Sequence, residues 1–184
     1  MTSTPAKIPG YLTGTWTIDP VHSEATFTVR HLGVTKVHGR FDDVAGTITT
    51  TADPLDSTVE ATIVTTSVNT RNEVRDDHVR GEDFLDVENH PAMTFRSTGI
   101  RALDDGSFAL DGELNLRGVA RPVTLAMELG GFGDHPMGGK VAGFEATTEI
   151  NRSDFGVTGG IAGAAVGEKI KITLDIEAVS QDAA

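Results

Sequence analysis

The stretch Lys169-Ile170-Lys171-Ile172-Thr173-Leu174-Asp175-Ile176-Glu177-Ala178, near the end of the chain, decides the fold class. Apolar and polar residues alternate through it, with five of each kind. Because successive side chains of a strand point to opposite faces, the alternation predicts a β-strand with one buried face and one face in water. Antiparallel sheets commonly have such a wet face, whereas parallel sheets are covered on both sides.

The same period-two alternation recurs earlier in the chain, and turn residues separate the runs. Asp104-Asp105-Gly106 closes one predicted hairpin, and residues 118–122 close the next. We predict eight strands, at about 16–30, 36–50, 57–68, 92–103, 107–117, 121–130, 140–151 and 168–179. Eight antiparallel strands can close into a barrel, which removes the exposed sheet edges and leaves an interior wide enough for one slender ligand. The predicted fold class is therefore all-β, an eight-stranded antiparallel barrel.

One stretch has helical character instead. Thr70-Arg71-Asn72-Glu73 has the pattern of a capping box, which predicts a helix that starts at Thr70 and ends near Gly81. We expect this short helix as an insertion between strands 4 and 5 of the barrel. It would lie across one opening, either as a lid or as a plug that fills the end of the core.

Composition limits the function classes. The 184 residues suit one domain, and the formal net charge of −12 opposes binding to nucleic acid. Without cysteine there can be no disulfide, thiolate metal site or thiol catalysis. The first fifteen residues contain no apolar run of signal-peptide length, and no integral membrane segment is predicted. The chain as given is thus expected in the cytoplasm.

Motifs for chemistry are sparse. The six histidines form no H-x-H or H-x-x-x-H pair, so no metal site is predicted. His22 and Ser23 are neighbours on a predicted strand and point to opposite faces, so they cannot act as base and nucleophile. Residues 156–167 contain five glycines, but no Gly-Lys-Ser/Thr follows them as in a phosphate loop. We predict no catalytic residue and no cofactor, and hence a protein that is not an enzyme.

The alternation also assigns candidate ligand-binding residues, and each strand's set is right or wrong together. The apolar residues predicted to face the lumen are Phe27, Val29, Phe41, Ile63, Phe95, Leu114, Leu116, Leu125, Phe144, Ile170 and Ile172. The residues predicted for a polar mouth, with the two arginines meeting a headgroup, are His22, Arg75, Asp76, His78, Arg152 and Asp154. The alternative is that these six form a buried ion-pair network without ligand contact.

A family resemblance emerges from these motifs in order. The first signature of the YceI-like family, the polyisoprenoid-binding, lipocalin-like barrels, is similar to residues 16–23 of this chain. This segment reads Trp16-Thr17-Ile18-Asp19-Pro20-Val21-His22-Ser23. The further segments that resemble the family, in its order, are 27–33, 37–41, 67–70, 75–80, 83–86, 91–95, 112–123 and 152–157. The similarity extends from about Thr13 to Val179. Each motif alone is weak, but so many in one order are specific.

The resemblance implies a lipocalin-like barrel domain at 13–180, after a flexible N-terminal segment at 1–12. It implies a long-chain isoprenoid or other fatty amphiphile as the small-molecule lipid partner, bound in the lumen for carriage, storage or sequestration. Two alternatives stay open, an enzyme acting on a lipid-like substrate and a ligand-free stress or assembly partner with a solid core. A homodimer is also left open.

Overall fold

The computed structural model describes residues 8–182, and nearly all of its regular structure is β-strand. The eleven strands are β1 (Gly14–Ile18), β2 (Glu24–His31), β3 (Thr35–Phe41), β4 (Val44–Thr50), β5 (Thr58–Val64), β6 (Val68–Asn69), β7 (Ala92–Ala102), β8 (Phe108–Leu116), β9 (Val119–Asp134), β10 (Lys140–Asn151) and β11 (Val166–Ser180). One α-helix, α1 (Glu73–Arg80), and four short 3₁₀ segments complete the described elements.

The strands form one closed antiparallel barrel. They are paired in the order β1-β4-β5-β7-β8-β9-β10-β11, and β1 pairs again with β11 to close the ring. The closing register sets Ile18 opposite Ala178. Three strands of the wall are bent: β2 continues β1, β3 continues β4, and β6 continues β5. The pairings beyond the bend show this, since β11 pairs with β2, β2 with β3, and β3 with β6. Each pair β1/β2, β3/β4 and β5/β6 thus forms one bent strand of the wall. Counting each pair once, the barrel wall has eight strands, called staves below, which confirms the predicted fold class.

The three bent staves change direction at one level of the barrel. The bends are held by backbone hydrogen bonds from Asp19 to Glu177 (2.8 Å), from Asp42 to Ser67 (3.1 Å) and from Val64 to Asp43 (3.0 Å). Three segments predicted as continuous strands are thus each interrupted, because a long barrel wall must bend while its backbone groups stay paired.

The helix lies between β6 and β7, which are parts of the third and fourth staves. The predicted position between strands 4 and 5 is wrong, because the chain enters the helix directly from the strand that ends at Asn69. The predicted cap is also displaced: Asn72, not Thr70, accepts the hydrogen bond from the Arg75 N–H (2.9 Å). Thr70 instead donates to the Asp76 carboxylate, which removes it from the capping position.

The N-terminal segment predicted at 1–12 falls partly outside the described residues, since 1–7 lie outside them. From Ile8 onward the chain runs against the barrel, and the Tyr11 hydroxyl donates to the Thr51 carbonyl (2.8 Å). Within residues 8–182, no helix is long and apolar enough to cross a membrane.

A charged network on the outer face links three neighbouring strands. Asp111 on β8 accepts hydrogen bonds from Arg101 Nε (2.8 Å) and Nη2 (3.0 Å) on β7, and from Thr124 Oγ1 (2.6 Å) on β9. The bonds from Arg101, followed by the bond from Thr124, lower the pKa of Asp111 from 3.8 to about 2. The charged carboxylate therefore favours the folded chain.

This network predicts a pH dependence of stability. A carboxyl group with a lowered pKa contributes stability fully above its ordinary pKa, and the contribution is lost as the pH falls through the folded-state value. Between about pH 4 and about pH 2, we expect the free energy of unfolding of the wild type to fall more steeply than that of Asp111→Asn. Urea unfolding at several pH values, with Glu113→Gln as the outer-face control, measures this difference. Parallel curves for the wild type and Asp111→Asn would contradict it.

Candidate functional site: an apolar cavity along the barrel

The barrel encloses an elongated cavity of about 450 Å³, within the usual range for ligand pockets. Its wall follows β11 from Val166 to Ile176, eleven residues whose ends lie about 33 Å apart along the strand. Almost all of the lining is aliphatic or aromatic. The inward side chains therefore surround a hollow instead of meeting in the middle.

All eleven residues predicted for the lumen lie on this cavity wall. The outward residues that alternate with them, such as Lys171 and Thr173, are exposed. Burial of one face explains why local alternation predicted the orientation: a shift by one residue would have exposed the whole apolar set. Whether these residues bind a ligand stays a prediction.

Sequence reasoning missed the wall residues that do not belong to alternating strands. Ile8 and Tyr11 line the cavity from the N-terminal segment, and Phe84 and Leu85 line it from the segment after α1. Their chain segments have no period-two signal, so only the tertiary structure reveals their position. Phe84 packs edge-on against His78, with ring centroids 5.1 Å apart.

Polar side chains are concentrated at the two ends of the cavity. Tyr11, Thr50 and Ser57 lie at one end, where Trp16 Nε1 also donates to Thr50 Oγ1 (2.8 Å). The other end carries Thr70 and three of the six predicted mouth residues, namely Arg75, His78 and Arg152. A ligand with one polar group could therefore place that group at an end and its hydrocarbon between the ends.

Arg75 is the predicted mouth residue best able to bind an anionic group. Its Nε donates to Thr70 Oγ1 and its Nη2 donates to the Thr70 carbonyl, both at 2.8 Å. Among the described residues, no acceptor is bonded to Nη1 of Arg75. Two hydrogen bonds thus fix the guanidinium at the cavity end while some of its N–H groups stay free.

Arg152 has a different environment, because its guanidinium is fully used by the protein. The residue is 8% exposed, and a carboxylate oxygen of Glu168 lies 3.8 Å from its Nε. Its Nε and both of its Nη atoms donate to five backbone carbonyls at 2.7–3.1 Å, those of Gly167, Val157, Thr158, Gly163 and Val166. All five N–H groups are satisfied, so Arg152 is not free to meet a headgroup. The predicted alternative was a buried ion-pair network; Arg152 is buried, but its hydrogen-bond acceptors are backbone carbonyls and not carboxylates.

The remaining predicted mouth residues do not reach the cavity wall. Asp76 is buried but accepts hydrogen bonds from the backbone N–H (2.7 Å) and hydroxyl (2.6 Å) of Thr70. Asp154 is exposed, and its carbonyl accepts a hydrogen bond from Arg121 Nε (3.1 Å). The Asp76 carboxylate therefore holds the turn that precedes α1, whereas Asp154 takes part in this contact through its backbone carbonyl only.

His22 lies outside the cavity, at the bend between β1 and β2. Its Nδ1 is 2.8 Å from Asp19 Oδ2 and 3.6 Å from Glu177 Oε1. The hydrogen bond between His22 and Asp19 lowers the pKa of Asp19; the same bond and the charge of Glu177 raise the pKa of His22. Within residues 8–182, these three side chains form the one group close enough to hold a metal ion. Their hydrogen bonds already account for the arrangement as a support of the bend.

Comparison with known proteins gives a family model and a relative that both carry the name YceI. A family model described as a YceI-like domain matches residues 16–178. The chain is 38% identical over 161 residues to Protein YceI of Escherichia coli O157:H7, covering 87% of this chain and 83% of that protein.

Among solved structures, the chain is similar to Burkholderia cenocepacia BcnA, with a TM-score of 0.79 and 21% identity over 87% of this chain and 98% of the other. It is also similar to a polyisoprenoid binding domain from Saccharophagus degradans, described as implicated in plant cell wall breakdown. That similarity has a TM-score of 0.69 and 14% identity, over 92% of this chain and 99% of the other. At these identities the two structures support the fold.

Proposed function

Because the chain belongs to the YceI-like domain family, we propose that it binds a long-chain isoprenoid or another fatty amphiphile in its barrel and carries, stores or sequesters it. The observation that carries the proposal is the apolar cavity of about 450 Å³ that runs along the barrel. The description of the related Saccharophagus degradans domain as polyisoprenoid binding agrees with this ligand class.

The cavity suits a flexible hydrocarbon on energetic grounds. Each isoprenoid unit would bury five carbons, worth about 3 to 4 kcal/mol at roughly 0.8 kcal/mol per methylene, before the entropic losses of binding. A few units therefore suffice for tight binding. The proposed role is binding and not catalysis, since the wall offers few polar groups that could act on a substrate.

Arg75 is the residue that we assign to the polar end of the ligand. Its guanidinium lies at the cavity end, held by Thr70, with N–H groups directed to no other side chain among the described residues. A phosphate or carboxylate headgroup would supply the missing acceptors. His78 lies on the same part of the wall and is proposed as a second contact.

Native mass spectrometry of gently purified protein tests the proposal. We expect a mass adduct that disappears under denaturing conditions, and organic extraction should release a long-chain lipid. An anionic headgroup on that lipid would agree with the role of Arg75, whereas a neutral one would remove it. A clean apo mass, even after incubation with a total lipid extract, would contradict lipid carriage.

A further inference from the structure

The turn between β2 and β3 exposes apolar side chains in an unusual conformation. Leu32 is 66% exposed and Val34 is 78% exposed. Leu32 and Gly33 both have positive φ, 53° and 68°, and the Val34 N–H donates to the His31 carbonyl (3.0 Å). Two-residue turns with positive φ at both positions favour Asn-Gly, since a branched apolar residue rarely adopts this conformation. Neither turn geometry nor barrel packing therefore explains leucine here.

This turn lies at the end of the cavity that carries Arg75. Val29 and Val37, within the same hairpin, line the cavity. The Leu32 N–H donates to the carbonyl of Ala165 (2.8 Å), the last residue of the 3₁₀ segment Gly160–Ala165. Ala165 lines the cavity, while Ile161 of the same segment is fully exposed. Leu32, Val34 and Ile161 are the exposed large apolar residues of these two hydrogen-bonded segments, and together they are called the apolar rim.

The hairpin that carries Leu32 and Val34 is basic, although the whole chain has a net charge of −12. Residues 25–41 contain no Asp or Glu. Arg40, at the base of the hairpin, pairs with Asp42 (2.7 Å). Arg30 and Lys36 flank the rim, both are exposed, and no carboxylate in the described part of the chain lies within 4.0 Å of either.

We propose that the apolar rim inserts into the surface of an anionic lipid bilayer, so that ligand passes between the bilayer and the cavity. The inference rests on the proposed function. Apolar side chains enter the boundary between headgroups and acyl chains, while flanking cations stay at the level of the phosphates. The continuity of the rim with the cavity wall gives a lipid a route that avoids water.

Vesicle co-sedimentation tests the proposal with Leu32→Asn and a matched control, Met137→Asn. Met137 is 92% exposed in the turn between β9 and β10. That turn lies at the opposite end of the barrel, as the pairings of β11 show. Val166 pairs with His31, beside the rim, whereas Val179 pairs with Val141, beside the turn of Met137. Val166 and Val179 are thirteen residues, or about 40 Å, apart along β11. Asn suits a positive φ, so Leu32→Asn is expected to fold at least as stably as the wild type.

The wild type should sediment with vesicles of phosphatidylcholine and phosphatidylglycerol, and added salt should weaken this binding. Leu32→Asn should reduce it by about tenfold, the effect of losing one inserted leucine, and Met137→Asn should leave it unchanged. Lys36→Glu should weaken binding to the anionic vesicles more than binding to phosphatidylcholine alone.

Three results would overturn the proposal. The first is that the wild type sediments with neither kind of vesicle. The second is that Leu32→Asn sediments like the wild type. The third is that Leu32→Asn and Met137→Asn lose vesicle binding to the same extent. Native mass spectrometry separates this failure from failure of the proposed function. A lipid adduct retained by protein that does not sediment would leave carriage standing and remove only the docking.

Discussion

Ile172→Arg should abolish lipid retention, whereas Thr173→Arg should retain lipid as the wild type does. The two residues are neighbours on β11, but Ile172 lines the cavity and Thr173 is exposed on the outer face. A guanidinium in the lumen loses its hydration when hydrocarbon fills the space, at a cost of several kcal/mol. That cost corresponds to a loss in affinity of about 100-fold or more.

The measurement is the fraction of protein with a lipid adduct in native mass spectrometry after equal exposure to a lipid extract. Urea unfolding shows whether each variant is folded. Ile172→Trp is a second variant, which fills part of the lumen without introducing a charge. Equal retention by Ile172→Arg and Thr173→Arg, or full retention by a folded Ile172→Trp, would show that the lipid does not occupy the lumen.

The orientation of residues such as Ile172 could be predicted from sequence because it depends on a local rule. Each strand buries one face, and a period of two distinguishes that face without knowledge of the partner strands. The number of staves followed from counting such segments between turns. The bends could not be found in this way, because Asp42 and Asp43 interrupt a stave through hydrogen bonds with distant residues.

The polar residues were harder to predict because their partners carry no sequence signal. Arg152 bonds to backbone carbonyls, and any residue type could provide those acceptors. His22 meets Glu177 only because the barrel closes, although the two are far apart in the chain. Asp76 has the side-chain chemistry of a mouth residue, but its contact with Thr70 becomes visible only in three dimensions.

Arg152→Met should produce the largest loss of stability among the substitutions considered. The five carbonyls bonded by Arg152 belong to the glycine-rich segment 157–167, which contributes Val157, Ala162 and Ala165 to the cavity wall. Methionine has an unbranched, apolar side chain that can occupy much of the same space, but it leaves these acceptors unpaired. Hydrogen bonds to a charged group contribute about 1.5 to 3 kcal/mol each, and a buried acceptor left unpaired costs about 1 to 3 kcal/mol, so the loss of several such bonds should cost about 3 to 5 kcal/mol after local relaxation. We expect a loss in this range in the free energy of unfolding.

Urea unfolding of Arg152→Met, Arg152→Lys and Arg121→Met separates the contributions. Arg152→Lys keeps the charge but has three donors in place of the five-donor fork, so its loss should be intermediate. Arg121 is exposed and, within residues 8–182, its side chain has one hydrogen bond, to the Asp154 carbonyl, so Arg121→Met should cost about 0.5 kcal/mol or less. If Arg152→Met lost no more stability than Arg121→Met, the guanidinium would not be what holds the segment, and Arg152 would again be a candidate for the ligand headgroup.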